Sequence, residues 1–283
     1  VIVVTNTAVL MDKVQAATRP LCLVPTMGAL HEGHLALIRA AREKVGASGT
    51  VAVSIFVNPM QFDRKDDLDK YPRPLDRDLA ACEAAGADLV FTPDPGQMYA
   101  ADHSVTISEN RLSTTLCGAA RPGHFTGVCT VVMKLFLLFR AEFAIFGKKD
   151  FQQLAIIRRM VRDLHVPIEI IGHATVRESD GLAMSSRNVR LTPEQRAAAP
   201  SLYRALSAAA GLLKLGERQA GPVLDAAKHY LAQTMTFRID YLALVDAETL
   251  EPVAVIRRPA LLALAGFFGD VRLIDHIELH PDC

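Results

Sequence analysis

LCLVPTMGALHEGHLALI, residues 21–38, reads as a strand, a turn and the opening of a helix. The apolar run 21–24 predicts a buried strand, Pro25 closes it, Gly28 and Gly33 loosen the turn, and a helical pattern begins at Leu35. Two imidazoles, His31 and His34, therefore fall at the mouth of a helix. Such a place suits a polyphosphate: glycines let backbone approach the ligand, the first helical N–H groups point at it, and imidazoles donate to phosphate oxygens. Taken alone, His-x-x-His also fits two loop histidines or half a metal site. A second element far downstream, Met184-Ser185-Ser186-Arg187, sharpens the reading. Its two hydroxyls and a guanidinium able to bind bidentately make a dense set of phosphate ligands.

Working outward, residues 50–57 form another nearly continuous apolar strand, and Asn58-Pro59-Met60-Gln61-Phe62 lies just past its carboxyl end. Further strands are expected at 88–91, around 105–108, at 141–146 and at 168–171. Helices are expected at 8–17, from the histidine turn to 45, up to 85, at 127–139 and up to 164. Strands alternating with helices predict a doubly wound parallel sheet, hence an α/β fold. Gly147-Lys148-Lys149-Asp150 repeats the strand, glycine and helix-start arrangement with cations: Lys149 is placed to neutralise phosphate and Asp150 to cap the helix. The acidic run Asp63, Asp66, Asp67 and Asp69 reads as a solvated loop, mobile enough to close over a site. No G-x-G-x-x-G follows any strand and no Walker A sequence is present. From Thr192-Pro193-Glu194 the character changes. Helices at 193–214 and 221–234, then strands at 238–245, 260–265 and 271–279, predict a smaller α+β domain. The division is thus 1–175 for the Rossmann-like domain, 176–190 for a loop and hinge, and 191–283 for a C-terminal lid.

Lysine plus arginine equal aspartate plus glutamate at 31 each. That balance argues against holding nucleic acid by charge and points to small anionic partners. The five cysteines, Cys22, Cys82, Cys117, Cys129 and Cys283, are odd in number and never spaced C-x-x-C. A disulfide framework or zinc knuckle is disfavoured, and a reducing cytoplasm fits. Residues 1–4 are too short and lack the basic flank of a secretory signal. The most apolar region, 128–146, is interrupted by Lys134, Arg140 and Glu142, so no membrane span is expected.

The histidine and serine-arginine elements together resemble the paired HxGH and KMSKS-like signatures of the nucleotidylyltransferase superfamily. With PTMGALHEGH, SIFVNPMQF, RPGHF, KDFQQL and DGLAMSSRN in this order, the chain resembles the pantoate:beta-alanine ligase (pantothenate synthetase) family nearly end to end. The resemblance implies a cytoplasmic homodimer that joins pantoate to beta-alanine through a pantoyl adenylate, releasing pyrophosphate and then AMP. It also implies Mg2+, and because no acidic cluster looks like a metal cage, the ion is expected to arrive with ATP. Carried onto this sequence, the ATP contacts are Pro25, Thr26, Met27, Gly28, His31, His34, Gly147, Lys148, Lys149, Asp150, Met184, Ser185, Ser186 and Arg187, with Val176 against the adenine. His34, His31, Lys149 and Arg187 are the catalytic candidates, His34 in the acid role. Gln61 and Gln153 match the pantoate ligands, Pro25, Met27 and Phe62 furnish an apolar wall, and Gln61 also lies near the beta-alanine amine. Asp78 is a candidate outer metal ligand, and the glycine-flanked His124 of RPGHF also fits a residue that only orders its loop.

Two departures stand out. Lys148 replaces the family's usual acidic residue, and Cys117 replaces a common glutamate, which puts in doubt any ion pair the glutamate makes. Rival readings are a related transferase acting on a phosphorylated alcohol, a tRNA-charging enzyme, and a regulator with a spent site. Balanced charge disfavours the second, and intact His31, His34, Lys149 and Arg187 the third.

Overall fold

Buried apolar strands alternating with helices build a six-stranded parallel sheet in the computed structural model, which describes residues 1–234 and 236–281. Cys283 lies outside the described residues. In chain order the elements are β1 (Ile2–Val4), α1 (Thr7–Ala16), β2 (Leu21–Thr26), α2 (Glu32–Val45), β3 (Thr50–Ile55), α3 (Lys65–Asp69), α4 (Leu75–Ala84), β4 (Leu89–Phe91), α5 (Pro95–Met98), α6 (Leu116–Ala120), α7 (His124–Phe139), β5 (Phe143–Gly147), α8 (Phe151–Asp163) and β6 (Glu169–His173). The strand order is β1-β4-β3-β2-β5-β6, and every pair is parallel.

Leu21, Cys22, Leu23 and Val24 of β2 are fully buried, as a central strand covered on both faces requires. Helix α2 presents Leu37, Ile38, Ala41 and Val45 to that sheet, the spacing of one helical face. From β2 the chain builds β3 and β4 on one side and then crosses to β5 and β6 on the other. That reversal between β2 and β5 is the switch point at which open α/β sheets bind ligands.

Two compact units are present: Val1–Asn110, Arg121–Lys148 and Gln153–Ala174 make the first, while Arg111–Ala120, Lys149–Gln152 and Thr175–Cys283 make the second. The second contains α9 (Pro193–Ala198), α10 (Ser201–Lys214), α11 (Ala220–Ala232), β7 (Phe237–Asp246), β8 (Ala260–Phe268) and β9 (Val271–Leu279). The three strands form an antiparallel meander. Its core joins Leu202, Leu206 and Leu213 of α10 and Val223 and Leu231 of α11 to Leu262, Leu264 and Phe268 of β8.

Three expectations need correction. Residues 105–108 form no strand: Val105 is 81% exposed, and the Ile107 N–H donates to Thr130 Oγ1 at 3.0 Å instead of to a ladder. The helix expected over 193–214 is two, α9 and α10, broken just before Pro200, whose ring and missing N–H do not suit a helix interior. The acidic loop contains the short helix α3, with Asp66 and Asp67 in its first turn, where negative charge suits the helix dipole. The edge strand β1 also occupies the apolar start of the chain, where no strand was expected.

Candidate active site

Pairing of β2 with β5 stops at Leu23 opposite Ala144, yet β2 stays with β3 as far as Thr26 opposite Ile55, and β5 with β6 as far as Gly147 opposite His173. The sheet therefore opens at its switch point, beside Pro25, which has no N–H to contribute to a ladder. The turn that leaves this opening is strained and held. Gly28 has φ +79, and a Cβ there would stand 2.9 Å from Asp78 Oδ2. Ala29 is also left-handed, at φ 51. Asp78, buried on α4, accepts from the Ala29 N–H at 2.7 Å and the Leu30 N–H at 2.8 Å. It thus acts as the clamp of this turn.

The clamped turn delivers His31 to the N-cap of α2 and His34 to its first turn. Their ring centroids are 4.1 Å apart. The His31 N–H donates to His34 Nδ1 at 3.4 Å, so the proton of the neutral His34 ring belongs on Nε2.

Gln61 closes the turn that follows β3 and is 8% exposed, so it is no surface amide. Its orientation is fixed by groups whose roles are unambiguous. The Met60 N–H donates to Asn58 Oδ1 at 3.3 Å, and Tyr99 Oη donates to the same oxygen at 2.8 Å. Asn58 Nδ2 then donates to the Gly127 carbonyl at 3.0 Å and to Gln61 Oε1 at 3.1 Å. With Oε1 so engaged, the Gln61 amide turns its NH2 group toward Met27, 2.8 Å from the sulfur. The close fit depends on Gly127: a Cβ on α7 there would meet the Met60 carbonyl oxygen at 2.3 Å. Desolvation pushes the Tyr99 hydroxyl up to about 12, which keeps it a donor.

The backbone of the same turn is pinned from α7 as well. His124 Nδ1 donates to the Gln61 carbonyl at 2.7 Å, so His124 does order its loop. Arg121 reaches that carbonyl at 3.3 Å and Asp63 Oδ1 at 2.7 Å. Burial raises the Asp63 carboxyl, but the Arg121 guanidinium outweighs it and holds the group below its ordinary value. Asp63 is therefore anchored, unlike a freely solvated loop residue. Gln153, the other expected pantoate ligand, is half-buried at the start of α8.

In the second unit Lys149 Nζ stands 3.8 Å from Asp150 Oδ2, immediately before α8. Gln152 is buried and structural: it donates to the Leu112 and Thr115 carbonyls, both at 2.7 Å, and accepts from the Cys117 N–H at 2.9 Å. Val176 and Met184 are joined by a backbone bond at 3.0 Å, which makes 177–183 a tight hairpin. Ser185 Oγ accepts from the Arg187 N–H at 3.2 Å, so Ser185, Ser186 and Arg187 share one half-buried turn. The hairpin is tethered by Arg177, whose two terminal nitrogens meet the buried Asp275 carboxylate at 2.7 and 2.8 Å. Cys117 Sγ lies 3.1 Å from Tyr241 Oη and 3.7 Å from Arg272 Nη1. Arg272 in turn pairs with Asp240 at 2.8 Å, so its charge is met without a glutamate at 117.

Among the described residues no group of three or more His, Cys, Asp and Glu is arranged to hold a metal ion. Nor is any helix long and apolar enough to cross a membrane.

The doubly wound parallel sheet of the first unit, split at its switch point beside a helix-borne histidine pair, and the serine-arginine turn of the second unit are the features in which the chain resembles the nucleotidylyltransferase class. The model of the family described as pantoate-beta-alanine ligase matches residues 3–278, and the chain belongs to that family. It is 55% identical over 261 residues to the pantothenate synthetase of Akkermansia muciniphila, covering 91% of each protein. Its fold superimposes on the crystal structure of pantothenate synthetase from Thermus thermophilus with a TM-score of 0.93 at 46% identity, over 99% of this chain and 100% of the other. It also matches the Francisella tularensis pantoate-beta-alanine ligase complexed with beta-gamma ATP and beta-alanine, with a TM-score of 0.79 at 28% identity, over 100% and 98%.

Sequence reasoning singled out the histidines, Gln61 and the serine-arginine turn. It missed the clamp role of Asp78 and the amide-orienting role of Asn58. Asn58 was visible in SIFVNPMQF, but its partners come from α5's end and α7, which no local pattern joins to it.

Proposed function

We propose that this chain condenses pantoate with beta-alanine at the expense of ATP, in two steps. In the first, a pantoate carboxylate oxygen attacks the α-phosphorus of ATP, forming the acyl-phosphate bond as the bond to pyrophosphate breaks. In the second, the beta-alanine amine attacks the acyl carbon, loses a proton, and AMP departs as pantothenate forms. The first step brings two anions together while charge grows on phosphate oxygens, so preorganised donors and cations are its main source of acceleration.

Membership of the ligase family over residues 3–278 supports this reading. The observation that carries it is the Gln61 amide, whose NH2 group is directed by Asn58 toward Met27 at the sheet opening. A neutral donor beside an apolar side chain suits an acid that carries both a hydroxyl and a gem-dimethyl group. We assign pantoate to Gln61, Gln153 and Met27, and the beta-alanine amine to Gln61. His34 Nε2–H, His31, Lys149 and Arg187 are assigned to the phosphate oxygens, with His34 as acid. The remaining ATP contacts fall to Pro25, Thr26, Gly28, Gly147, Lys148, Asp150, Met184, Ser185 and Ser186, and the adenine to Val176. Among the described residues no cluster is built for a resident metal, so magnesium enters as part of the Mg-ATP substrate. Scattered cysteines and the family resemblance support a cytoplasmic setting, and the resemblance alone supports a homodimer.

Exchange of labelled pyrophosphate into ATP without beta-alanine tests the reading. Pantoate is expected to stimulate it and other small hydroxy acids are not. Exchange driven by a phosphorylated alcohol, or no exchange with pantoate, overturns the assignment.

A further inference from the structure

The Ser185–Arg187 turn, which the proposed function gives to ATP phosphates, is carried by a hairpin that also holds two carboxylates, Glu178 and Asp180. Unopposed negative charge so close to a phosphate-binding turn would repel the ligand. Both carboxylates converge on a single side chain of α9. Arg196 Nη1 meets Asp180 Oδ2 at 2.6 Å, and Arg196 Nη2 meets Glu178 Oε2 at 2.5 Å. The second oxygen of each carboxylate is tied to the hairpin itself. Glu178 Oε1 accepts from Asn188 Nδ2 at 2.9 Å, and Asp180 Oδ1 accepts from the Leu182 N–H at 3.1 Å. Asn188 Nδ2 also donates to the Ala183 carbonyl at 3.1 Å, and the Asn188 N–H to the Ser185 carbonyl at 3.0 Å. An unbroken line of contacts thus runs from Arg196 through Glu178 to Asn188, the residue following Arg187, and from its N–H to the Ser185 carbonyl.

We propose that Arg196 is a positioning residue for the ATP-phosphate turn: its forked guanidinium neutralises Glu178 and Asp180 and, through Glu178 and Asn188, fixes residues 185–187. The assignment rests on the reading of that turn as a phosphate site. The charge states agree with it. Hydrogen bonding to Arg196 holds the Asp180 carboxyl below its ordinary value, and the bond to Asp180 raises Arg196 in return, so this pair is ionised at neutral pH. Because these side chains are partly solvated, their effect on a phosphate is screened by salt.

The test uses the full chain, with Mg-ATP binding followed by calorimetry and steady-state KM values for ATP and pantoate. Arg187→Ala serves as the reference for the turn. Arg196→Gln is expected to weaken ATP binding about tenfold, more at low than at high ionic strength, with the pantoate KM within about twofold. Adding Glu178→Gln and Asp180→Asn to that variant removes the exposed charges yet keeps both acceptor oxygens, and is expected to recover most of the loss. Should Arg196→Gln not fold, Arg196→Lys keeps the charge without the fork. That variant is expected to hold ATP within about threefold of the parent. The proposal is overturned if Arg187→Ala loses ATP binding while Arg196→Gln does not, if the triple variant binds no better than Arg196→Gln, or if the lysine variant loses tenfold. If Arg187→Ala itself binds ATP normally, the phosphate reading of the turn fails, and the proposal fails with it.

Discussion

Replacing Asn58 by aspartate changes one atom in the network that orients Gln61 and should reverse what Gln61 offers its ligand. Asn58 is 1% exposed, and its NH2 group donates to two oxygens, those of Gly127 and Gln61. In Asn58→Asp that donor becomes an oxygen, while the Met60 N–H and the Tyr99 hydroxyl still fix the other oxygen. The Gln61 amide then gains by flipping, so that its NH2 group faces the new carboxylate and its Oε1 faces the ligand. An anionic substrate would meet an acceptor where it had a donor. A hydrogen bond to a charged group is worth about 1.5–3 kcal/mol, so kcat/KM for pantoate should fall roughly 10- to 150-fold. The KM for ATP should change little. Burial raises the new carboxyl's pKa, and its protonated form again donates to Gln61, so the defect should shrink as pH falls. Steady-state kinetics with pantoate varied at pH 6 and pH 8 measure both effects. A folded Asn58→Asp protein with a pantoate kcat/KM within threefold of the parent at pH 8 would refute the orientation argument.

Gly127→Ala forces a Cβ to within 2.3 Å of the Met60 carbonyl, so α7 and the Gln61 turn must separate. A loss of about 1–3 kcal/mol is expected, read as a drop in Tm together with a higher pantoate KM; an unchanged Tm would contradict it. Arg121 holds the Asp63 carboxyl below its ordinary 3.8, so the pair stabilises the fold above that pH and its contribution disappears as pH falls through the lowered value. In Arg121→Met the acid limb of urea stability between pH 3 and 6 should lose that contribution, under about 1 kcal/mol for a partly exposed pair. Asp275→Ala leaves the half-buried Arg177 guanidinium without its carboxylate and should destabilise by about 1–3 kcal/mol, seen in thermal unfolding. Lys149→Ala should slow pantoate-dependent pyrophosphate exchange by about 10²- to 10³-fold if its ammonium stabilises the transferring phosphate. Near-parental exchange in a folded variant would make Lys149 peripheral.

The parallel sheet was legible because each of its central strands is a short, continuous apolar run, a pattern produced by burial on both faces. The meander of the second unit was legible for a similar reason, with β9 found at its full extent. Residues 105–108 misled because alternation alone cannot show whether a neighbouring strand exists to pair with. Pro200 was in plain sight, yet the apolar spacing on both sides of it concealed the break. At the candidate site the sequence exposed residues whose types announce phosphate chemistry, the imidazoles and the serine-arginine turn. It could not expose those that act by holding others. Asp78 sits 49 positions from Ala29, and Gly127 sits 69 positions from Asn58, separations over which only the folded chain defines a contact.

The distribution of sulfur also has a practical outcome. Burial pushes the thiols of Cys22, Cys82 and Cys129 up to about 12, which leaves them protonated and shielded. Cys117 is the half-buried thiol among the described residues, and it belongs to the second unit. In a Cys283→Ser background, a fluorophore coupled through maleimide should therefore attach at a single address. Such a conjugate would turn the second unit into an optical reporter of ligand addition, obtained without engineering any new attachment point.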